Sequence, residues 1–186
     1  ALLLLAGLQS IDGALYDDTT GLVGCTLDGH LFVVGHWDPA EHGGETPKGD
    51  VDAAVDRSFA TWDVRAFYGD PPYWQEDLAR WYGRHGDVVK EWWTNRPTFM
   101  GRVLELFHTA VMTKAVTHDG NATLATHVGN ARRWKDRGHL AVRKKFPQSP
   151  DKIDLLVCAA LALEARNDVL AEPEPEVRKP GRLLVF

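Results

Sequence analysis

An α/β domain with a mixed sheet is the fold class this sequence predicts, and three observations carry it. Residues 2–11 form one apolar run, as a strand buried on both faces would. Gly21–Leu27 and His30–Trp37 are strand-like stretches joined through Asp28-Gly29, a tight hairpin signal. Beyond residue 50, helical periodicity alternates with short apolar strands, the pattern of helices packed on a sheet. The 186 residues, 44% hydrophobic and 25% charged, suit one domain with a sizeable core.

The first strand ends at Asp12, and Asp12-Gly13 with Asp17-Asp18-Thr19-Thr20 supplies turn residues before the second. Residues 38–49 (DPAEHGGETPKG) form a polar loop. Asp50 can cap a helix to about Ala60, with Val51, Ala54, Val55 and Phe59 on one face. Val64–Tyr68 is a short strand delivering Gly69-Asp70-Pro71-Pro72, followed by a helix over 73–84 and a strand over Val88–Trp93. Pro97 opens a helix to about Thr113, Asn121–Arg132 is a shorter helix, and 133–146 reads as a hairpin around Asp136–Gly138. Ser149-Pro150-Asp151 starts the last helix, which runs to about Asn167. Residues 1–168 are thus the domain, and 169–186 are a Pro- and charge-rich tail. Three hairpin-linked strands followed by alternating helices and strands is the order of a ribonuclease-H-like domain, with strands 1–3 antiparallel and the further strands parallel.

A formal net charge of −5 argues weakly against a nucleic-acid partner, but distribution matters more than the sum. Residues 132–145 hold seven Lys or Arg against one Asp: Arg132, Arg133, Lys135, Arg137, Arg143, Lys144 and Lys145. That block is either a solvated hairpin or an edge that grips phosphates without reading base sequence. Cys25 and Cys158 match no metal-ligand spacing and no disulfide framework, and read as small buried hydrophobes. The opening ALLLLAGL is too short to span a bilayer and lacks the basic start of a signal peptide, so a buried strand is expected. An N-terminal Ala suggests a fragment or a processed chain.

Three acids stand where such a fold concentrates chemistry: Asp12 after the first strand, Asp70 after the fourth, and Asp154 in the first turn of the last helix. Strand ends and a packed helix can gather carboxylates that are 58 and 84 residues apart in sequence. Hard oxygen donors suit Mg²⁺ or Mn²⁺, and two such ions can promote phosphodiester hydrolysis. Each acid also has a plainer role: Asp12 as a turn residue, Asp70 as a strand terminator, Asp154 at a helix dipole. Asp154 is nonetheless flanked by Ile153, Leu155 and Leu156, where a carboxylate is costly unless paired or metal-bound.

Several stretches, in order, resemble the nuclease domain of bacteriophage terminase large subunits. They are Asp12-Gly13-Ala14 with Asp17-Asp18-Thr19-Thr20-Gly21-Leu22-Val23, Tyr68-Gly69-Asp70-Pro71-Pro72-Tyr73-Trp74, and Glu91-Trp92-Trp93-Thr94-Asn95. Phe107-His108-Thr109-Ala110, His118-Asp119-Gly120 with His127-Val128 and Asn130-Ala131, and Lys152-Ile153-Asp154 continue the series, which spans about residues 8 to 166. The resemblance implies that Asp12, Asp70 and Asp154 are the catalytic, metal-binding aspartates of a two-ion endonuclease. That enzyme would cut double-stranded, concatemeric viral DNA during genome packaging in the cytoplasm of the bacterial host. It also implies an ATPase domain, a terminase small subunit and a portal as partners, and no membrane. Ala14 stands where relatives often carry Ser, and no GxxxxGK[ST] motif occurs, so ATP-driven translocation is not expected of this stretch.

Other residues stay open at this level. Asp151 could add a ligand or merely start the helix. Lys152 could face a scissile phosphate or solvent. Asp17 and Asp18 suit solvated turn acids, and His118 and His127, without ligand spacing, suit hydrogen-bonded packing. Asn130 could orient substrate or cap a helix. Trp92 and Trp93 are expected in a strand, facing opposite sides. Alternative functions are another ribonuclease-H-like nuclease or recombinase, or a non-catalytic DNA-gripping domain of a packaging motor.

Overall fold

The computed structural model describes the backbone of residues 2–9 and the whole of residues 19–146 and 149–172. Asp12, Asp17, Asp18 and most of the expected tail lie outside the described residues. Strands β1 (Leu2–Gln9), β2 (Thr20–Thr26) and β3 (His30–Trp37) lead into helix α1 (Lys48–Thr61) and strand β4 (Asp63–Gly69). Helix α2 (Gln75–His85), strand β5 (Val89–Glu91), helix α3 (Pro97–Met112) and strand β6 (Thr117–His118) follow. Helix α4 (Ala122–Asn130), the hairpin β7 (Arg132–Asp136) and β8 (His139–Arg143), and helix α5 (Asp154–Ala171) complete the order.

Six strands form one sheet in the order β5-β4-β1-β2-β3-β6. β1, β2 and β3 pair antiparallel, while β1–β4, β4–β5 and β3–β6 are parallel, which is the expected mixed topology. The apolar run that suggested a strand buried on both faces does lie centrally, between β4 and β2. The period of two divides β2 between two cores, and β4 does the same after an irregularity between Val64 and Ala66 puts those two residues on opposite faces. Val23, Cys25, Ala66 and Tyr68 pack toward α3, α4 and α5, and Leu22, Val64 and Phe67 toward α1 and α2. Both cysteines are free and buried, as expected, and burial pushes the Cys25 thiol up to about 12.

Several boundaries move. α1 begins at Lys48 behind Pro47, so Asp50 lies in the first turn instead of capping it. β5 stops at Glu91, which places Trp92 and Trp93 after the strand. β6, only two residues long, was not expected, because two residues carry no periodicity. The last helix begins at Asp154, later than Ser149-Pro150-Asp151, and continues to Ala171, past Asn167 and into the expected tail.

α5 is buried on nearly all sides from Leu155 to Ala165, because the sheet covers one flank and α3 and α4 the others. Alanines at 159, 160, 162 and 165 let it sit close, and each large side chain such as Leu155 or Leu161 contributes about 1.5–3 kcal/mol on burial. Gly21 sets the approach. A Cβ there would meet Leu155 Cδ2 at 2.7 Å and Cys158 Sγ at 3.0 Å. Gly21→Ala is therefore expected to cost about 1–3 kcal/mol in urea unfolding, as overpacking does. Gly83→Ala, on the exposed side of α2 with nothing within 4 Å, should gain about 0.5–1 kcal/mol. Equal stability of the two variants would refute the close seating of α5 on β2.

Candidate active site

Asp70 leaves the C-terminal end of β4 and is 1% exposed. The segment after β5 folds back over it. Trp92 N–H donates to the Gly69 carbonyl at 2.8 Å, extending the ladder by one bond. Thr94 then donates through its hydroxyl to Asp70 Oδ2 at 2.7 Å and through its backbone N–H to Oδ1 at 3.3 Å. Burial pushes the Asp70 carboxyl up to about 6, against the lowering effect of Thr94. The turn that follows is strained. Trp74 N–H bonds the Pro71 carbonyl at 2.9 Å, and Tyr73 holds φ 67°, the left-handed position of a type II turn. Lys48 steadies that turn, with Nζ donating to the Tyr73 carbonyl at 2.9 Å and to Asp77 Oδ2 at 2.8 Å.

Asp154 is the first residue of α5 and is likewise 1% exposed. Its Oδ2 accepts from the Thr19 hydroxyl at 2.7 Å, across 135 residues of sequence. The next backbone N–H, that of Leu155, donates to Nδ1 of His127 at 3.1 Å. His127 is buried, its ring meets that of His36 edge-on at a centroid distance of 5.3 Å, and its imidazole is pushed down to about 4 by burial first and by His36 next. It is therefore neutral near pH 7, with a lone pair free to accept that bond.

Thr94 links the surroundings of the two acids. Asp154 lines a cavity of about 310 Å³ together with Thr94, the residue that holds Asp70. Thr19 bonds Asp154, while the adjacent Thr20 lines a small apolar pocket with Asp70. β1 runs between these elements, with Gln9 opposite Thr20 and Gly7 opposite Gly69. β1 thus ends between β4, which leads to Asp70, and β2, whose preceding Thr19 bonds Asp154; Asp12 itself lies outside the described residues. Among the described residues, no group of three or more His, Cys, Asp or Glu is arranged to hold a metal ion. Asp70 does not itself line the cleft that Asp154 lines and reaches it only through Thr94. Both acids are nonetheless buried oxygen donors, the chemistry a hard divalent cation takes, and a cation would offset the burial that holds Asp70 high.

The other expected site residues scatter. Asp151 is exposed before α5 and, with Lys152, lines a separate open groove beside Thr126, His127 and Asn130. Asn130 ends α4, and its side-chain amide donates to the Lys152 carbonyl at 2.9 Å, neither capping its own helix nor facing the cleft. His118 is exposed, with Nδ1 accepting from Gly120 N–H at 3.1 Å, so only His127 of that pair is packed.

The basic block forms the β7–β8 hairpin, whose two-residue turn has φ 47° at Arg137 and 89° at Gly138. It seats on α3 at Gly101, where a Cβ would come within 2.7 Å of His139 Cβ. Asp136, Leu140, Ala141 and Val142 wall the cleft that Asp154 lines. Arg132 and Arg143 stand directly opposite each other in register, an unfavourable like-charge pair. The charges are drawn apart: Arg132 donates to the Gly129, Asn130 and Ala131 carbonyls at the end of α4, and Arg143 lies 3.9 Å over the Trp134 ring. Arg133, Lys135, Arg137 and Lys145 are exposed.

Sequence reasoning passed over Thr19, Thr94 and His36. Thr19 and Thr94 lie inside stretches that carried the family resemblance, which was the only available signal, since a single threonine has no periodicity to read.

The raised Asp70 carboxyl has a consequence for stability. The unfolded group titrates at its ordinary value, so between about pH 4 and 6 the folded protein binds the extra proton. Metal-free stability is therefore expected to rise as pH falls from 7 toward 4, by about 1–3 kcal/mol from this group. Asp70→Asn should be more stable than the parent at pH 7 and lose that part of the slope, as chemical denaturation across pH would show. An Asp70→Asn protein less stable than the parent at pH 7 would contradict the assignment.

The geometry has known counterparts. No family model matches the chain. The "Gene 13 protein" of Mycobacterium phage L5 is 39% identical over 171 residues, covering 86% of this chain and 29% of that protein. Its counterpart in Mycobacterium phage D29 matches to the same extent, so the chain spans under a third of the length of these relatives. Among solved structures, the large terminase nuclease of thermophilic phage G20c aligns with TM-score 0.65 at 12% identity, over 88% of this chain and 81% of that one. The large terminase of bacteriophage HK97 aligns with TM-score 0.64 at 14% identity, over 88% of this chain and 39% of that one. The G20c nuclease with bound magnesium aligns at 0.54 and 14% identity, over 86% of this chain and 81% of that one. The resemblance read from the sequence holds at the level of fold: this chain has the fold of the phage large terminase nucleases.

Proposed function

We propose that this chain is the nuclease portion of a phage large terminase and hydrolyses double-stranded DNA with two divalent cations, Mg²⁺ or Mn²⁺. The observation that supports it best is that Thr94, which holds the buried Asp70 carboxylate, lines the same cleft as the buried Asp154. Two solved neighbours, the G20c nuclease with magnesium and with cobalt, add weight to divalent-ion use. Asp70 and Asp154, with Asp12 completing the set, would hold the ions, which when bound supply nucleophile activation and neutralise charge on the phosphate. Thr94 orients both oxygens of Asp70 and Thr19 one oxygen of Asp154, and the hairpin wall narrows the approach to the cleft.

Exposed Arg133, Lys135, Arg137 and Lys145 give the hairpin a cationic face for the phosphate backbone, with Arg143 held over Trp134 beside it. Arg132 is turned toward α4 and contributes through the local field. Asp151 and Lys152 lie in the neighbouring groove and take no ligand role in this reading. The partners would be those of a packaging motor in the bacterial cytoplasm: DNA, an ATPase domain, a small subunit and a portal. No helix among the described residues is long and apolar enough to cross a membrane.

Nicking of supercoiled plasmid in Mn²⁺ tests the proposal. Asp70→Ala and Asp154→Ala should each lose about 100-fold or more of the rate. Undiminished cleavage by either variant, or a parent protein that binds no divalent ion in calorimetry, would overturn it, the latter favouring a non-catalytic DNA-gripping domain. Lys135→Ala and Arg137→Ala should each reduce the slope of log affinity against log salt by about one without altering sequence preference.

A further inference from the structure

The segment carrying Asp154 is tied down from outside the cleft by one helix. Residues 149–153 are irregular, so the chain arrives at Asp154 without regular backbone bonding. The first N–H groups of any helix also lack intrahelical partners. Here no side-chain cap from Ile153, the residue before the helix, supplies one. α4 meets both needs. His127 and Asn130 lie three residues apart, on one face of that helix. His127 Nδ1 accepts the Leu155 N–H at 3.1 Å, and Asn130 Nδ2 donates to the Lys152 carbonyl at 2.9 Å. The two bonds bracket Asp154, one residue after it and two before. His127 is 4% exposed and pressed edge-on by His36 from β3, so its ring has little room to turn. α4 is itself fixed through Asn121, whose side chain accepts the Leu124 N–H at 2.9 Å, and through Arg132 at its far end.

We infer that His127 and Asn130 are positioning residues, which set the backbone at Asp154 and thereby the placement of its carboxylate at the cleft. The role rests on the nuclease reading only for its consequence in metal binding; its structural half stands without any ion. Neither side chain lines the cleft. They act on Asp154 through the peptide groups on either side, as outer partners that orient a ligand commonly do.

Two measurements on the 186-residue chain test it. The first is hydrogen exchange of the Leu155 amide in metal-free protein, and the second is Mn²⁺ affinity by calorimetry. His127→Leu, which removes the acceptor and keeps the bulk, should speed exchange at Leu155 and weaken Mn²⁺ binding about tenfold. Asn130→Ala, at a half-buried position that tolerates truncation, should weaken Mn²⁺ similarly without moving the melting temperature by more than a few degrees. His127→Asn places an acceptor where Nδ1 stood and should restore both readouts to within about threefold of the parent. Parental exchange and parental Mn²⁺ affinity in His127→Leu and Asn130→Ala would overturn the inference, as would failure of His127→Asn to restore the two readouts. If the parent itself binds no Mn²⁺, the nuclease reading falls, and exchange at Leu155 alone decides the positioning role.

Discussion

Two carboxylates held out of water against one end of a sheet are the constraint on which the rest of this structure depends. A buried carboxylate is costly unless hydrogen bonds or a cation compensate it. Asp70 and Asp154 are each 1% exposed, and each has a threonine hydroxyl at 2.7 Å. At Asp70 those bonds offset only part of the desolvation, as its upward shift shows. Asp70 is thus kept electrostatically unfavourable, a condition under which a divalent ion would be favoured and a neutralised carboxylate would gain stability.

The scaffold is arranged around keeping those groups in place. Gly21 admits α5 to close contact with β2, so the helix that begins with Asp154 sits against the strand that Thr19 precedes. On the opposite side of the cleft, the chain beyond β5 turns back through Trp92 and Thr94 to close over Asp70. The hairpin seats on α3 at Gly101, presenting Leu140, Ala141 and Val142 to the cleft and much of its positive charge to solvent. Away from the cleft, α5 carries a second buried acid, Glu164, paired with Arg102 of α3, while Asp168 accepts the Tyr68 hydroxyl at 2.7 Å. Burial raises Glu164 despite its partner, so this pair joins α3 to α5 without resolving its own charge.

Much of this was legible in the chain itself. Alternating and continuous apolar runs locate the strands, and the turn residues Asp28-Gly29 and Asp136–Gly138 mark two hairpins. Asp70 is legible as the acid that ends the fourth strand before Pro71-Pro72, and Asp154 as an acid beside a buried stripe. Less legible were features made by contacts distant in sequence. Thr19 reaches Asp154 across 135 residues, and His127 reaches Leu155 across 28, and neither spacing has a local signature. The start of α5 was misplaced because Ser149-Pro150-Asp151 has the composition of a helix start. The structure instead uses Asp151 in a turn, its N–H donating to Ser149 Oγ at 3.3 Å, and begins the helix where His127 can receive the Leu155 amide. β6 exists only through pairing of His30 and Leu31 with Thr117 and His118, tertiary information that two residues cannot carry.

Anomalous scattering from crystals grown with Mn²⁺ puts the gathering of the three acids to the most direct trial. Manganese peaks among the carboxylates of Asp12, Asp70 and Asp154, at the cleft walled by Leu140 and Val142, are the expected result. Manganese bound elsewhere, or Asp12 turned away from the other two with the cleft left empty at saturating ion, would contradict it.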